Sequence, residues 1–185
     1  MMPFIKELFS KQDYDSSSFF LIAGPCVVES NDLVFEVANK VAIICKKLGI
    51  PFVFKASYKK ANRTSNSSFT GLGDEFGLSL IKKVGNELNL PTTTDIHSES
   101  EANIAAPFVD ILQIPAFLCR QTELLVAAAG TGKIVNVKKG QFISGEAMKF
   151  AVEKIKAAGN NNILLTERGT TFGYQDLVVD YRNIP

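Results

Sequence analysis

The stretch VFEVANKVAIICKKLGIPFVFKA, residues 34–56, contains one helix and one strand and decides the fold class. Its helical part carries a single apolar stripe made of Val34, Val37, Ala38, Val41, Cys45 and Leu48. Gly49 is expected to end this helix, because glycine readily adopts the left-handed conformation found at helix C-termini. Residues 51–56 then form a continuously apolar run, which predicts a strand covered on both faces, as in a parallel sheet.

The sequence repeats this alternation of strand and helix along its length. Other strand-like runs occur at residues 19–23, 92–96, 110–114, 134–138 and 163–166. Helices are indicated by the stripe Leu78, Ile81, Val84 and Leu88, by a capping box from Ser98 to Glu101 ahead of Pro107, by residues 122–129, and by the stripe Met148, Ala151, Val152 and Ile155. The order is β-α six times, without a clear pattern for the sixth helix, and it predicts an α/β fold. Six units suit either an open doubly wound sheet or part of an eight-unit barrel, which typically needs about 250 residues.

Composition and charge exclude several classes of protein. The 185 residues are 46% hydrophobic and 21% charged, which is ordinary for a globular chain of one domain and excludes a disordered or collagen-like protein. The 20 Lys and Arg residues against 19 Asp and Glu residues give a net charge of +1, so no nucleic-acid partner is expected. The apolar runs are far shorter than the roughly 20 residues that cross a bilayer, so no membrane partner is expected either.

The cysteines predict a cytoplasmic protein. Cys26, Cys45 and Cys119 are an odd number with wide spacing, so they imply neither a disulfide framework nor a CxxC zinc site. A reducing compartment fits this usage, and residues 1–7 lack the pattern of a signal peptide. Cys45 is expected in the core and Cys119 is expected to be packed. From the residues alone, Cys26 remains a metal thiolate, a nucleophile or a small buried side chain.

Polar and charged side chains gather at the C-terminal ends of the predicted strands, which form the active face in parallel α/β folds. The cationic members are Lys55, Lys60, Arg63, Arg120, Lys138 and Arg168. The other polar members include Asn62, Asp95, His97, Gln113, Asn136, Lys139 and Glu167. On a nearly neutral chain, this set predicts a site for a small, multiply charged anion such as a phosphate ester. The alternative is that the cations pair with Asp95, Glu167 and surface acids.

Six motifs, taken in order, resemble the 3-deoxy-D-manno-octulosonate 8-phosphate synthase family from about residue 19 onward. They are IAGPCVVES at 22–30, FKASYKKANRTS at 54–65, TDIH at 94–97, QIPAFLCRQT at 113–122, NVKKGQF at 136–142 and ERGTTFGY at 167–174. The related 3-deoxy-heptulosonate 7-phosphate synthases share the Gly-Pro-Cys element but typically carry a Lys-Pro-Arg-Thr-Ser loop. The loop here reads KANRTS at 60–65, which favours the octulosonate family.

The resemblance implies a (β/α)8 TIM barrel, of which this chain holds about six β/α units in a single catalytic domain, 1–185. It implies the condensation of phosphoenolpyruvate with D-arabinose 5-phosphate and water, which gives 3-deoxy-D-manno-octulosonate 8-phosphate and phosphate. It also implies a homotetramer in the cytoplasm that serves lipopolysaccharide synthesis. The alternatives are the heptulosonate enzyme and an inactive anion-binding fragment. A plain structural domain is disfavoured, because it gives no reason for six cationic strand ends.

The resemblance also assigns the site residues. Phosphoenolpyruvate would contact Lys55, Lys60, Gln113, Ala116, Lys138 and Arg168. Arabinose 5-phosphate would contact Asn62, Arg63, Thr64 and, from a neighbouring subunit, Arg120. Lys60, Asn62 and Asp95 would take part in catalysis, with Lys60 as the proton donor to the aldehyde oxygen.

Cys26 matches the metal-dependent class of the family, and a thiolate there favours Zn²⁺, Fe²⁺ or a related divalent ion such as Mn²⁺. The other family ligands are a His, a Glu and an Asp on strands seven and eight and a late loop. We expect these strands and ligands to be absent from the chain, because the motifs stop within the sixth unit and neither His97 nor Asp95 matches the ligand motifs. We therefore expect two open sheet edges, weak metal binding and no activity of this polypeptide alone. Thr70 and Lys59, where the family usually has Arg and Asp, are smaller departures.

Overall fold

The computed structural model describes residues 3–15, 18–61, 70–173 and 175–184. The chain divides into two compact units. The first is formed by Met1–Asp95 with Phe108–Asp110, and the second by Ile96–Pro107 with Ile111–Pro185. Each unit contains a set of parallel strands connected by helices.

The first unit is built on three parallel strands in chain order. Its elements are α1 (Pro3–Leu8), β1 (Leu21–Ala23), α2 (Asn31–Leu48), β2 (Phe52–Lys55), α3 (Asp74–Leu88) and β3 (Thr92–Asp95). The register pairs Leu21 with Phe52 and Phe54 with Thr92. Lys55 and Asp95 are therefore the last residues of two adjacent strands, and both lie at the same C-terminal edge of the unit.

Local signals in the sequence account for α2. The Ser30 hydroxyl accepts a hydrogen bond from the Leu33 N–H at 3.2 Å and caps the first turn. Gly49 ends the helix with φ of 66°, and its N–H bonds back to carbonyl groups of the last turn, as predicted. Of the predicted apolar stripe, Val34, Ala38 and Cys45 are buried against the unit's core. Leu48, the last member of the stripe, is 63% exposed, so the stripe prediction is wrong for this residue.

The second unit repeats the same arrangement. Its helices and parallel strands are α4 (Glu99–Ala105), β4 (Ile111–Ile114), α5 (Thr122–Gly130), β5 (Ile134–Lys138), α6 (Met148–Ala157) and β6 (Ile163–Thr166). The register pairs Gln113 with Asn136 and Lys138 with Thr166. Short 3₁₀ turns occur at Ala116–Leu118 and Tyr181–Asn183.

Two local predictions fail in this unit. The capping box is wrong because the Glu101 carboxylate accepts from the His97 N–H at 2.9 Å, and Ser98 makes no side-chain cap bond. In place of a sixth helix, an antiparallel pair follows β6, formed by β7 (Thr170–Phe172) and β8 (Asp176–Val178). The β-branched pair Thr170 and Thr171 and the nearby Gly173, with φ of 70°, favour a hairpin over a helix.

The predicted fold class, α/β with β/α units of a (β/α)8 barrel, is confirmed by the parallel strands and alternating helices. The residues of β3 and β4 are buried throughout, as predicted from runs that are mostly apolar or β-branched and typical of strands covered on both faces. Strands β1 and β6 are only partly buried, and within the described residues β1 pairs with β2 alone and β6 with β5 alone. None of the helices in the described ranges is long and apolar enough to cross a bilayer.

Candidate active site

The first unit places two lysines and one carboxylate around a buried serine at the ends of β2 and β3. The Ser57 hydroxyl accepts hydrogen bonds from Nζ of Lys55 at 2.8 Å and from Nζ of Lys60 at 2.7 Å. The same hydroxyl donates a hydrogen bond to Oδ2 of Asp95. One oxygen atom therefore fixes the positions of three charged groups, two from the end of β2 and one from the end of β3. We call these four residues the lysine cluster.

The lysine cluster carries a formal charge of +1 in a poorly hydrated place. Nζ of Lys55 lies 3.1 Å from Oδ2 of Asp95, and Nζ of Lys60 lies 3.8 Å from the same atom. The three charged side chains are only 9–16% exposed. Because electrostatic interactions are stronger where water is scarce, an excess positive charge here is suited to attract a small anion.

The electrostatics of Lys60 follow from these contacts. Burial lowers the pKa of Lys60 below its usual 10.5, and the neighbouring Lys55 charge lowers it further. The Asp95 charge and contact with the Cys26 thiol act in the opposite direction without cancelling the effect. A lysine that is easier to deprotonate is a better proton donor near neutral pH.

The turn after β1 brings Cys26 to this cluster. Gly24 has φ of 151°, and a Cβ at this position would collide with the carbonyl oxygen of Lys55, so the close approach of the turn to β2 requires glycine. The Cys26 side chain is exposed and is within hydrogen-bonding contact of Lys60. The alternative of a small buried thiol is therefore wrong for Cys26, whereas Cys45 and Cys119 are buried as predicted.

The described residues do not form a complete metal centre. Throughout residues 3–15, 18–61, 70–173 and 175–184, no group of three or more His, Cys, Asp or Glu side chains is placed to hold a metal ion. Cys26 is a free, exposed cysteine, and sulfur is one of the ligand types that divalent ions such as Zn²⁺ take. His97 lies instead beside Glu101, with Nδ1 3.1 Å from the carboxylate oxygen.

The segment of sequence after Lys60 carries the residues predicted to bind the sugar phosphate. Asn62, Arg63 and Thr64 lie outside the described residues. Among the described residues on either side of this segment, the Lys60 N–H donates to the Thr70 carbonyl at 2.8 Å. Nζ of Lys59 lies 3.1 Å from Oδ2 of Asp74 in the first turn of α3. The lysine found here, where the family usually has Asp, therefore forms a local ion pair.

In the second unit, a row of buried polar side chains crosses the strand ends. The Asn136 amide donates to Oε1 of Gln113 at 3.0 Å, and the Thr166 hydroxyl donates to Oδ1 of Asn136 at 2.8 Å. Gln113 and Asn136 are both almost completely buried. Because Oε1 of Gln113 accepts from Asn136, the NH₂ group of Gln113 is turned toward other partners.

The other predicted residues of the second unit lie at or beyond the C-terminal ends of its strands. Lys138 is the last residue of β5 and is half-buried, and Arg168 is exposed two residues after β6. Ala116 is buried in the turn after β4. Arg120 is exposed, and its carbonyl accepts from Nζ of Lys154 at 3.2 Å.

Sequence reasoning brought Lys55, Lys60 and Asp95 to one place correctly but missed Ser57. The serine belongs to the FKASYKK stretch, in which the predicted roles fall on two of the three lysines, Lys55 and Lys60. Its position two residues after a strand that ends in lysine was the available signal, since a hydroxyl there is placed to bond the strand-end ammonium group. The lysine cluster offers the ammonium groups of Lys55 and Lys60 to an anion. Lys60, whose pKa is lowered, can also donate a proton.

The chain is similar to one protein family and to several named proteins. The DAHP synthetase I family matches residues 13–185. A relative from Koribacter versatilis (strain Ellin345), named 2-dehydro-3-deoxyphosphooctonate aldolase, is 56% identical over 166 residues, which cover 90% of this chain and 60% of the relative. A Synechococcus protein of the same name is 53% identical over 171 residues, covering 92% of this chain and 60% of its own length.

A plant protein shows the same similarity. The Arabidopsis thaliana protein named 2-dehydro-3-deoxyphosphooctonate aldolase 2 is 52% identical over 166 residues, which cover 90% of this chain and 57% of the plant protein. The chain thus spans about 60% of the length of these curated relatives. The resemblance drawn from the six sequence motifs is confirmed.

Proposed function

We propose, since the chain belongs to the DAHP synthetase I family, that it carries substrate-binding and catalytic residues of a 3-deoxy-D-manno-octulosonate 8-phosphate synthase. The reaction is the condensation of phosphoenolpyruvate with D-arabinose 5-phosphate and water. The names of the relatives at 52–56% identity, 2-dehydro-3-deoxyphosphooctonate aldolase, support the eight-carbon product over the seven-carbon product of the heptulosonate alternative.

The lysine cluster is the observation that carries this proposal. Phosphoenolpyruvate has a carboxylate and a phosphate, so it needs several cations in a fixed arrangement. Lys55 and Lys60 supply two ammonium groups whose positions are set by Ser57 and Asp95. Because these groups are already ordered and poorly hydrated, little reorganisation is required when the anion binds.

The mechanism combines positioning with charge stabilisation. C3 of phosphoenolpyruvate attacks the sugar aldehyde and forms the new carbon–carbon bond, while Lys60 donates a proton to the aldehyde oxygen. Water adds at C2, where positive charge develops, and one of its protons restores the ammonium form of Lys60. The C2–O bond to phosphate then breaks, and the phosphate leaves with the bonding electron pair and the second proton of the water, so that C2 becomes the carbonyl carbon of the product. Asp95 lies close enough to Lys60 to stabilise its ammonium form before the transfer. The lowered pKa of Lys60 supports its role as the donor.

Further binding residues are proposed from the resemblance. In the second unit, Gln113, Ala116, Lys138 and Arg168 are assigned to phosphoenolpyruvate. Support comes from the position of Lys138 and Arg168 at strand ends and from the fixed amide of Gln113. Asn62, Arg63 and Thr64 are assigned to arabinose 5-phosphate, with Asn62 also in catalysis, and Arg120 is assigned to the sugar phosphate of a neighbouring subunit.

A divalent metal ion, Zn²⁺, Fe²⁺ or Mn²⁺, is proposed to bind the Cys26 thiolate. The exposed thiol supports one ligand, and the described residues supply no complete set, so none of the steps above depends on the ion. When bound, such an ion would supply Lewis-acid chemistry to an oxygen atom. The interaction of the Cys26 thiol with Lys60 supports a position for the ion near the proposed proton donor.

A homotetramer in the cytoplasm that serves lipopolysaccharide synthesis is also proposed. The exposed Arg120 supports an assembly in which one subunit completes the site of another. The three unpaired cysteines support a reducing compartment.

The test of the proposal is a set of titrations on the 185-residue chain. Calorimetry with phosphoenolpyruvate is followed by titration of the loaded protein with arabinose 5-phosphate and, separately, with erythrose 4-phosphate, and phosphate release is assayed for each pair. We expect phosphoenolpyruvate to bind and arabinose 5-phosphate to be preferred. Preference for erythrose 4-phosphate would favour the heptulosonate enzyme. Binding of phosphoenolpyruvate without either sugar and without phosphate release would favour an anion-binding fragment, and failure of phosphoenolpyruvate to bind would contradict the proposal.

A further inference from the structure

Lys139 is a buried lysine that the proposed reaction does not use. The residue directly follows β5 and is 2% exposed. Its ammonium group is surrounded by oxygen atoms, which we call the oxygen shell. Nζ donates to the carbonyls of Gly140 at 3.1 Å, Ile143 at 3.2 Å and Gly169 at 2.9 Å, and to the Thr170 hydroxyl at 3.2 Å. An ammonium group has three N–H donors, so this shell uses its full hydrogen-bonding capacity.

The carboxylate of Glu167 completes the shell. Its Oε1 lies 3.5 Å from Nζ of Lys139. The same oxygen accepts from the Arg168 N–H at 2.9 Å and from the Gly169 N–H at 2.6 Å, and Oε2 accepts from the Asn183 amide at 3.1 Å. The Lys139–Glu167 pair therefore forms hydrogen bonds to the main chain at Arg168 and Gly169.

Two separate segments meet at this pair. Lys139 binds carbonyls in the loop after β5, at Gly140 and Ile143, and in the turn after β6, at Gly169. The Thr171 N–H also donates to the Gln141 carbonyl at 2.9 Å, which joins the same two segments. A buried ammonium is costly unless it is paired and fully hydrogen-bonded, so the site is built around this one side chain.

We propose that Lys139 is a positioning residue that acts through Glu167 and Arg168. The pair holds the main chain of residues 167–170 rigidly, and from this turn the exposed Arg168 side chain extends to bind the anion. The anion-binding part of this inference rests on the proposed function, whereas the rigidity of the turn does not. The role differs from that of Lys138, whose assignment is direct contact with phosphoenolpyruvate.

The test uses the 185-residue chain and four variants. Lys139→Met removes the charge and keeps the length, Glu167→Gln keeps Lys139 and weakens the pair, and Arg168→Met removes the group to be positioned. Lys149→Met is the matched control, because Lys149 is an exposed lysine of the same unit that pairs with Glu146 on the surface. The readouts are amide hydrogen exchange at residues 140–144 and 167–171, the Nε–H NMR signal of Arg168, and phosphoenolpyruvate affinity, also measured in the double variant Lys139→Met with Arg168→Met.

In Lys139→Met we expect the amides of residues 140–144 and 167–171 to lose protection from hydrogen exchange together, while the amides of β4 keep theirs. We also expect the Nε–H signal of Arg168 to broaden or shift. Its phosphoenolpyruvate affinity should fall by about tenfold, but by much less in the Arg168→Met background, since coupled residues are not additive. A purely structural role would give equal losses in both backgrounds. Unchanged protection and an unchanged Arg168 signal in Lys139→Met would overturn the inference.

The variants also separate this inference from the proposed function. If the parent chain does not bind phosphoenolpyruvate, the function fails, and the exchange and NMR readouts still decide whether Lys139 orders the turn. If the parent binds and Lys139→Met binds equally well with both segments protected, only the inference fails. Should Lys139→Met not fold, Glu167→Gln decides the question by the same readouts, with loss of protection at 167–171 as the supporting result and full protection as the contradicting one.

Discussion

The hydroxyl of Ser57 donates a hydrogen bond to Asp95 while it accepts from the ammonium groups of Lys55 and Lys60. A hydroxyl has one donor and two acceptor positions, and all three are used here. Ser57 is fully buried, so these bonds cannot be replaced by bulk water. The serine thus acts as the common anchor of the two lysines.

Replacing this serine should loosen both lysines at once. We expect Ser57→Ala to lower the free energy of unfolding by about 1–3 kcal/mol, because three buried charged groups lose a hydrogen-bond partner. Phosphoenolpyruvate affinity should fall in parallel. Urea unfolding and calorimetry measure the two effects, with Ser79→Ala on the exposed face of α3 as the control. A Ser57→Ala protein with the parent's affinity would show that the anchor is dispensable.

Removing the charge of Asp95 should be more damaging. Asp95→Asn leaves Lys55 and Lys60 close together without their shared carboxylate. Breaking a buried ion pair costs about 3–5 kcal/mol in typical proteins, and we expect the loss of unfolding free energy to approach the lower end of this range. Chemical denaturation tests this against Asp13→Asn, an exposed aspartate of the same unit. A loss no larger than that of the control would contradict the assigned electrostatics.

The buried row of the second unit predicts an effect on Gln113 through Asn136. Asn136→Ala removes the donor that fixes Oε1 of Gln113 and the acceptor of the Thr166 hydroxyl. We expect weaker phosphoenolpyruvate binding in Asn136→Ala and in Gln113→Ala, with little further loss when the two are combined, because both act on the same amide. Calorimetry on the three variants measures this, and fully additive losses would rule out orientation of Gln113 by Asn136.

Much of the fold follows from periodicity, and the exceptions have local causes. Runs that are mostly apolar or β-branched located the six parallel strands within one or two residues, because such runs are typical of strands in a parallel sheet. The short helix Pro3–Leu8 and the pair of strands β7 and β8 were missed. Each is six residues or fewer, which is too short for a period to emerge.

The candidate site was predictable in its charges and less so in its connections. Lys55 and Asp95 end their strands, so parallel topology alone brought them to one edge. Ser57 lies within the motif at 54–65 but carries no charge, and its spacing from Lys55 does not by itself specify the side-chain positions on which its role depends. Lys139 is charged, but the sequence does not distinguish its full burial from the half-buried position of the adjacent Lys138.

The acid stability of the protein should depend on Glu167. Burial opposes ionisation of this carboxyl, but hydrogen bonds from the Gly169 N–H and the Asn183 amide, the Lys139 charge and the Arg168 N–H together lower the pKa of Glu167 below its usual 4.5. A lowered folded-state pKa gives stability that is present above pH 4.5 and is lost as the pH falls through the folded value.

We therefore expect Glu167→Gln to be less stable than the parent at neutral pH and to lose less stability on acidification. Urea unfolding between pH 7 and pH 3, where the protein remains folded, measures the two slopes. Glu146→Gln, at an exposed surface pair, is the matched control. Parallel curves for the parent and Glu167→Gln would contradict the proposed shift.

The most direct measurement is the calorimetric titration of phosphoenolpyruvate into the parent chain and into Lys55→Met, with the exposed Lys47→Met as control. We predict that the parent and Lys47→Met bind equally and that Lys55→Met binds at least about tenfold more weakly, since a buried charge-assisted contact is lost. Binding that is absent in the parent, or the same in Lys55→Met as in the parent, would contradict the claim that the lysine cluster is an anion site.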